Sequence, residues 1–244
     1  MKKKIIILTT IFTILMIAII AVLLQYFLIY LPEKKEKELW HQMYNEFYAG
    51  KLESFREENK SIENIDVVFI GDSLTEGYDL KSFYPEYNVL NRGISGDTTD
   101  GLKGRLDVSV YAANPKVVVM LIGANNFDTM LNDYENIVID LKTNLPDTKI
   151  VLLSLTAMSK EWGKNNTKAI ENNKVIKQLS QKYNCEFIDL FNPLIDPSTN
   201  ELYESYTIDG GHLTTHGYSE ITKIIKPVLD ELLTNGGRWL SWKK

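Results

Sequence analysis

Hydrophobic patterning divides the chain into two unlike parts. After Met-Lys-Lys-Lys, the stretch Ile5–Leu31 carries no charged residue. As a helix it is about 40 Å long, more than the roughly 30 Å of a bilayer's hydrocarbon core. A secretory signal has a shorter apolar region and a small-residue cleavage site, and no Ala-x-Ala-like site follows here. Residues 1–31 therefore predict a short cytoplasmic tail and an uncleaved transmembrane anchor. Lys2, Lys3 and Lys4 precede the span and Lys34, Lys35 and Lys37 follow it, so the positive-inside count is nearly a tie. Large domains are translocated largely regardless of flanking charge. The expectation is a single-pass protein of the cell membrane with its carboxyl-terminal domain outside. In residues 32–61, Trp40, Met43, Tyr44, Phe47, Tyr48, Leu52 and Phe55 recur at helical spacing between Glu and Lys. This predicts an amphipathic connector helix that packs its stripe on the following domain. A helix lying on the membrane surface is the competing reading, and the stripe's shortage of basic residues speaks against it.

Residues 62–244 read as one domain of alternating elements. Apolar, β-branched runs occur at Val67–Ile70, Asn88–Leu90, Val117–Ile122, Ile150–Leu155 and Glu186–Leu190. Helical patterns fall at about Thr99–Ala112, Asp133–Asn144, Lys168–Tyr183 and Thr215–Leu233. Strands alternating with helices imply a three-layer α/β/α domain around a five-stranded parallel sheet.

Composition narrows the function. A net charge of −5 without a basic block argues against nucleic acid, which needs clustered Lys and Arg. With a single cysteine, Cys185, no disulfide forms within the chain. One Cys and three His leave no zinc-finger spacing, so no metal or cofactor is expected.

The polar residues that follow each strand carry the chemistry. They are Gly71-Asp72-Ser73, Asn91-Arg92-Gly93-Ile94-Ser95-Gly96, Gly123-Ala124-Asn125-Asn126 and, beyond the fifth strand, Asp209-Gly210-Gly211-His212. In a parallel sheet the carboxyl ends of the strands share one edge, where such folds bind ligands. A Ser, a Gly-rich turn, an Asn and an Asp/His pair converging there form an inventory for acyl transfer. A lone Gly-Asp-Ser would mean no more than a helix cap; four blocks in order mean more.

These blocks resemble the GDSL/SGNH hydrolase family. Gly-Asp-Ser-Leu (71–74) matches its first block, Asn-Arg-Gly-Ile-Ser-Gly (91–96) resembles the second and Gly-Ala-Asn-Asn (123–126) the third. Asp-Gly-Gly-His-Leu with Gly-Tyr (209–213, 217–218) resembles the last. The third block usually ends in Asp, and Asn126 stands there instead, as in the branch resembling platelet-activating-factor acetylhydrolase subunits. The resemblance implies a flavodoxin-like sheet order, Ser73 as nucleophile, His212 as base and Asp209 as its orienter. It also implies an oxyanion hole made by the Ser73 and Gly93 N–H groups and the Asn125 amide. Met158 and Trp162, after the fourth strand, and Asn126 are weaker candidates for substrate contact.

Rival readings of the same residues are poorer. Ser95 lies in a Gly-rich turn that is not the Gly-x-Ser-x-Gly elbow, and no Walker or dinucleotide fingerprint is present. His212 and His216 stand four apart without the Glu of a His-Glu-x-x-His zinc site. The expected protein is a membrane-anchored serine esterase that removes acyl groups, acetyl above all, from envelope glycans. Its partners are an acylated small molecule, glycan or lipid and, through residues 5–31, the membrane. Lipid-ester or thioester hydrolysis is the alternative, and an inactive binding module is a further one that the complete set of site residues argues against. The strand-end loops are rich in Asn, Asp, Thr, Ser and Gly, which predicts a polar rim around the site.

Overall fold

Five apolar runs form one parallel sheet: β1 (Val67–Gly71), β2 (Val89–Gly93), β3 (Val117–Leu121), β4 (Lys149–Leu153) and β5 (Glu186–Ile188). The structure, a computed structural model, describes residues 2–234. The expected domain's last residues, 235–244, and Met1 lie outside the described residues. The strand order is β2-β1-β3-β4-β5, the flavodoxin-like order. Val67 pairs with Val89 on one side and with Val117 on the other. The central strands are apolar throughout because both faces are covered: every residue of β1 and β3 is buried.

The chain divides between Lys51 and Leu52 into two compact units. The first holds helix α1 (Lys2–Gln25), a π-helical turn at Tyr26–Tyr30 and the start of α2 (Leu31–Asn59). Lys2–Asn59 is continuous helix, long and apolar enough at its amino end to cross a membrane. A signal sequence near an amino terminus meets the same criterion. Thr10 and Thr13 donate their hydroxyls to the carbonyls of Ile6 and Thr9, each at 2.9 Å, so these polar groups are satisfied within the helix. In this unit Leu39, Trp40, Met43 and Phe47 are exposed, and Trp40 stacks on Tyr44. In the second unit the end of α2 is packed: Phe55 is buried, the Arg92 guanidinium lies over its ring, and Arg92 pairs with Glu58 and Asn59.

Two short helices follow β1: α3 (Ser73–Glu76) and α4 (Leu80–Phe83). The single helix expected over Thr99–Ala112 is broken into α5 (Thr99–Lys103) and α6 (Leu106–Ser109). Gly104 closes α5, its N–H reaching the Asp100 and Leu102 carbonyls, and Arg105 leaves helical geometry at φ −127°, ψ 13°. The break turns Arg105 into the interior, where four hydrogen bonds hold it. The remaining helices, α7 (Leu131–Asn144), α8 (Asn166–Lys182) and α9 (Thr215–Thr234), lie close to their expected bounds. Each covers the sheet with a stripe at helical spacing, such as Tyr218, Ile221, Ile225 and Leu229 of α9. A short antiparallel pairing of Ile195–Asp196 with Glu201–Leu202 has no counterpart in the sequence reading.

Candidate active site

The sheet order reverses direction between β1 and β3, and ligands of such folds bind at that switch. Ser73 follows β1 there as the first residue of α3. Asp72 caps the helix, its carboxylate accepting from the Leu74 N–H at 3.1 Å. The Ser73 N–H, one of the orphan donors of a helix start, has no partner among the described residues.

Ser73 Oγ lies 3.0 Å from His212 Nε2, and His212 Nδ1 lies 2.7 Å from Asp209 Oδ2. The other Asp209 oxygen accepts from the Gly211 and His212 N–H groups at 2.9 and 2.8 Å. Burial works to raise the Asp209 carboxyl, but the hydrogen bonds from His212 and Gly211 outweigh it and hold the pKa at about 2. An ionised carboxylate only accepts, so Nδ1 carries the ring proton and the lone pair of Nε2 faces Ser73. His216 is apart from this chain of contacts: it meets Glu220 at 3.4 Å and the edge of Tyr206.

The Asn125 amide, after β3, donates one hydrogen to the Asp97 carbonyl at 2.8 Å, which fixes the amide plane and leaves its second N–H available. Gly93 does not behave as expected. It is buried, and its N–H is donated to the Asn91 side chain at 2.9 Å. A Cβ there would come within 2.2 Å of the Glu76 backbone nitrogen, so glycine at 93 serves the packing of β2 on α3. Gly96 fits the missing donor better. It is exposed, has φ +79°, and stands in the turn closed by Asp97 N–H to the Ile94 carbonyl at 3.1 Å. Its own N–H has no partner among the described residues. The sequence signal was there: of the two glycines in the block, only the one in a turn needs a left-handed backbone.

Beside Ser73, Asn125 and His212 opens a cleft with a cavity of about 60 Å³. Its wall is largely apolar: Leu74, Leu121, Phe127, Leu155, Met158 and Trp162. Met158 and Trp162 thus line the cleft beside Ser73 and His212. Trp162 lies at the rim, 41% exposed, with its ring over Gly211. Asn126 is not part of the cleft lining; it is engaged with Thr99 and Thr129. The cleft wall is more apolar than the composition of these loops suggests, because some of their polar groups are turned to neighbours: Asp97 to Arg105, the Ser95 N–H to Glu76, Asp209 to His212, while Asn125 stays exposed at the mouth. Asp72 also lines the cleft, yet is only 1% exposed. Burial, aided by Asp97, pushes its carboxyl up to about 7 against the pull of the Leu74 and Ala124 N–H groups and His212.

Residues 69–219 match the GDSL-like Lipase/Acylhydrolase family, and the chain belongs to that family, whose members are serine ester hydrolases. An acetylxylan esterase of Geobacillus stearothermophilus is 26% identical over 50% of this chain and 74% of its own length. A Streptococcus pneumonia structure provisionally described as a platelet activating factor is 27% identical, with a TM-score of 0.68, over 80% of this chain and 99% of that one. A GDSL-like lipase of Bacteroides thetaiotaomicron shares the fold at 24% identity and a TM-score of 0.67, over 75% and 98% of the two chains.

Proposed function

We propose that this protein is a membrane-anchored serine esterase that hydrolyses short acyl esters, acetyl esters above all, of polar alcohols such as envelope glycans. The observation that carries the reading is the contact chain Ser73–His212–Asp209 opening on a small cavity. Ser73 Oγ attacks the acyl carbonyl while His212 Nε2 takes its proton, and Asp209 stabilises the imidazolium that forms. The oxyanion receives hydrogen bonds from the Ser73 N–H, the Gly96 N–H and the free N–H of Asn125. His212 then protonates the departing alcohol, and water attacks the acyl-enzyme by the reverse path.

Cavity size supports the short acyl group. A cavity of about 60 Å³ beside Ser73 has room for an acetyl or propionyl group. Trp162, partly exposed at the cleft and packed against Gly211, offers an apolar surface suited to a sugar ring. The acetylxylan esterase relative points the same way. A second reading, hydrolysis of lipid esters, is favoured by the apolar cleft wall and the helix at residues 5–31. Esters of p-nitrophenol with two to twelve carbons, assayed below their micelle concentrations, decide between the two. The first reading expects kcat/KM to fall roughly tenfold or more from acetyl to octanoyl, since each ill-fitting methylene shifts discrimination by about 1–3 kcal/mol. A rate that climbs with chain length supports the lipid reading. Retention of the full chain in membranes after a high-salt wash, and digestion of the domain by protease added to intact cells, test the anchor and its orientation.

A further inference from the structure

One buried guanidinium, that of Arg105, touches two of the loops from which the oxyanion donors come and reaches the third, that of Asn125, through Asp97. Arg105 is 1% exposed and sits at the break between α5 and α6. Its Nη2 donates to the Gly71 carbonyl at 3.0 Å, two residues before Ser73. Its Nη1 donates to the Arg92 carbonyl at 2.9 Å, at the end of β2, and to Ser109 Oγ at 2.8 Å. Its Nε meets the Asp97 carboxylate at 2.8 Å. Asp97 in turn follows Gly96, and its backbone carbonyl holds the Asn125 amide at 2.8 Å. The Gly71 carbonyl also accepts from the Ile94 N–H at 3.1 Å, so the same atom anchors the turn that carries Gly96. Three segments that are far apart in sequence are thus registered to one rigid fork.

We propose that Arg105, through its ion pair with Asp97, is a positioning residue that sets the geometry of the oxyanion hole, and this rests on the reading of Ser73 and Asn125 given above. The chemistry of the side chain explains its choice. A buried charge must be paired and its donors satisfied, and Asp97 with three neutral acceptors does both. A lysine in the same place is a point charge that cannot reach four acceptors in one plane. Arg105 touches neither Ser73 nor His212 and takes no part in proton transfer. It acts by keeping donors where negative charge will develop, and misplacement by about 1 Å is enough to cost a hundredfold in rate.

The test compares Arg105→Lys, Asp97→Asn, Asn125→Ala and the double variant Arg105→Lys/Asn125→Ala in the full-length protein in detergent. Each is assayed with p-nitrophenyl acetate and with the matching thionoester, whose C=S accepts hydrogen bonds poorly. Arg105→Lys should lower kcat about 10- to 100-fold with KM within about threefold of wild type. The preference for the oxoester over the thionoester should shrink, and the pH profile should keep its midpoint. In the Asn125→Ala background the same substitution should cost less than it does alone, because part of its effect runs through Asp97 to the Asn125 donor that is already gone. Where Arg105→Lys fails to fold, Asp97→Asn, of nearly equal volume, should give the same pattern. Losses that multiply fully in the double variant, an effect on KM alone, or a lowered melting temperature with unchanged kcat and ester preference would overturn the proposal while leaving the esterase reading intact. If Asn125→Ala itself is fully active, the oxyanion assignment fails first and takes the proposal with it.

Discussion

Replacing Asn125 by alanine removes one donor and exposes one acceptor, and the two effects separate in measurement. In the native site one amide hydrogen is committed to the Asp97 carbonyl at 2.8 Å, so one remains for the oxyanion. Deleting a donor of this kind costs about 2.7–4 kcal/mol of transition-state stabilisation, or about 10²–10³ in kcat. Asn125 is exposed at the mouth of the cleft, where water competes for the developing charge. The expected loss is therefore near the lower end, about a hundredfold. The ground-state carbonyl binds the donor weakly, so KM should change less than about threefold. The lost bond to Asp97 leaves a buried residue's carbonyl short of a partner, which should cost about 1–3 kcal/mol of stability. Steady-state kinetics with p-nitrophenyl acetate and a thermal melt read the two effects separately. A defect confined to KM, or a kcat loss below about fivefold in folded protein, would refute the assignment of Asn125 to the transition state.

Two further outcomes follow from the same geometry. His212→Ala should be close to inactive, whereas His216→Ala should retain most activity, since His216 meets Glu220 and Tyr206 and not Ser73. The two site carboxylates should show opposite pH dependences of stability. Asp72 is raised to about 7, so the folded state keeps a proton that the unfolded chain has lost, and stability falls as pH rises from about 4 to 7. Asp72→Asn should flatten that slope in pH-dependent urea unfolding. Asp209, lowered to about 2, contributes stability that is present above about pH 4 and lost as pH falls toward 2, and Asp209→Asn should remove that acid limb.

Much of this architecture was legible because it rests on short-range signals. β-Branched runs such as Val117–Met120 announce strands buried on both faces, and the stripe from Tyr218 to Leu229 announces its helix. Ser73, Asn125, Asp209 and His212 stood out because the carboxyl ends of parallel strands share one edge. What escaped depended on pairings between distant residues. The break at Gly104-Arg105 is stabilised by acceptors at residues 71, 92, 97 and 109, which no local pattern reveals. The Asn91 side chain that captures the Gly93 N–H removed one glycine from the candidate hole. The apolar cleft wall escaped for the same reason: Asn126, the Ser95 N–H and Asp97 find partners in neighbouring loops, which leaves apolar side chains to line the cleft.

The central claim is that Ser73 is the nucleophile of an acyl-enzyme, and covalent capture tests it most directly. A fluorophosphonate phosphonylates an activated serine with loss of fluoride, and peptide mass spectrometry locates the adduct. The account predicts one stoichiometric adduct on Ser73, slowed strongly by His212→Ala and abolished, together with esterase activity, by Ser73→Ala in folded protein. An adduct on Ser95, whose N–H is held by Glu76 at 2.6 Å, or esterase activity that survives Ser73→Ala, would contradict it.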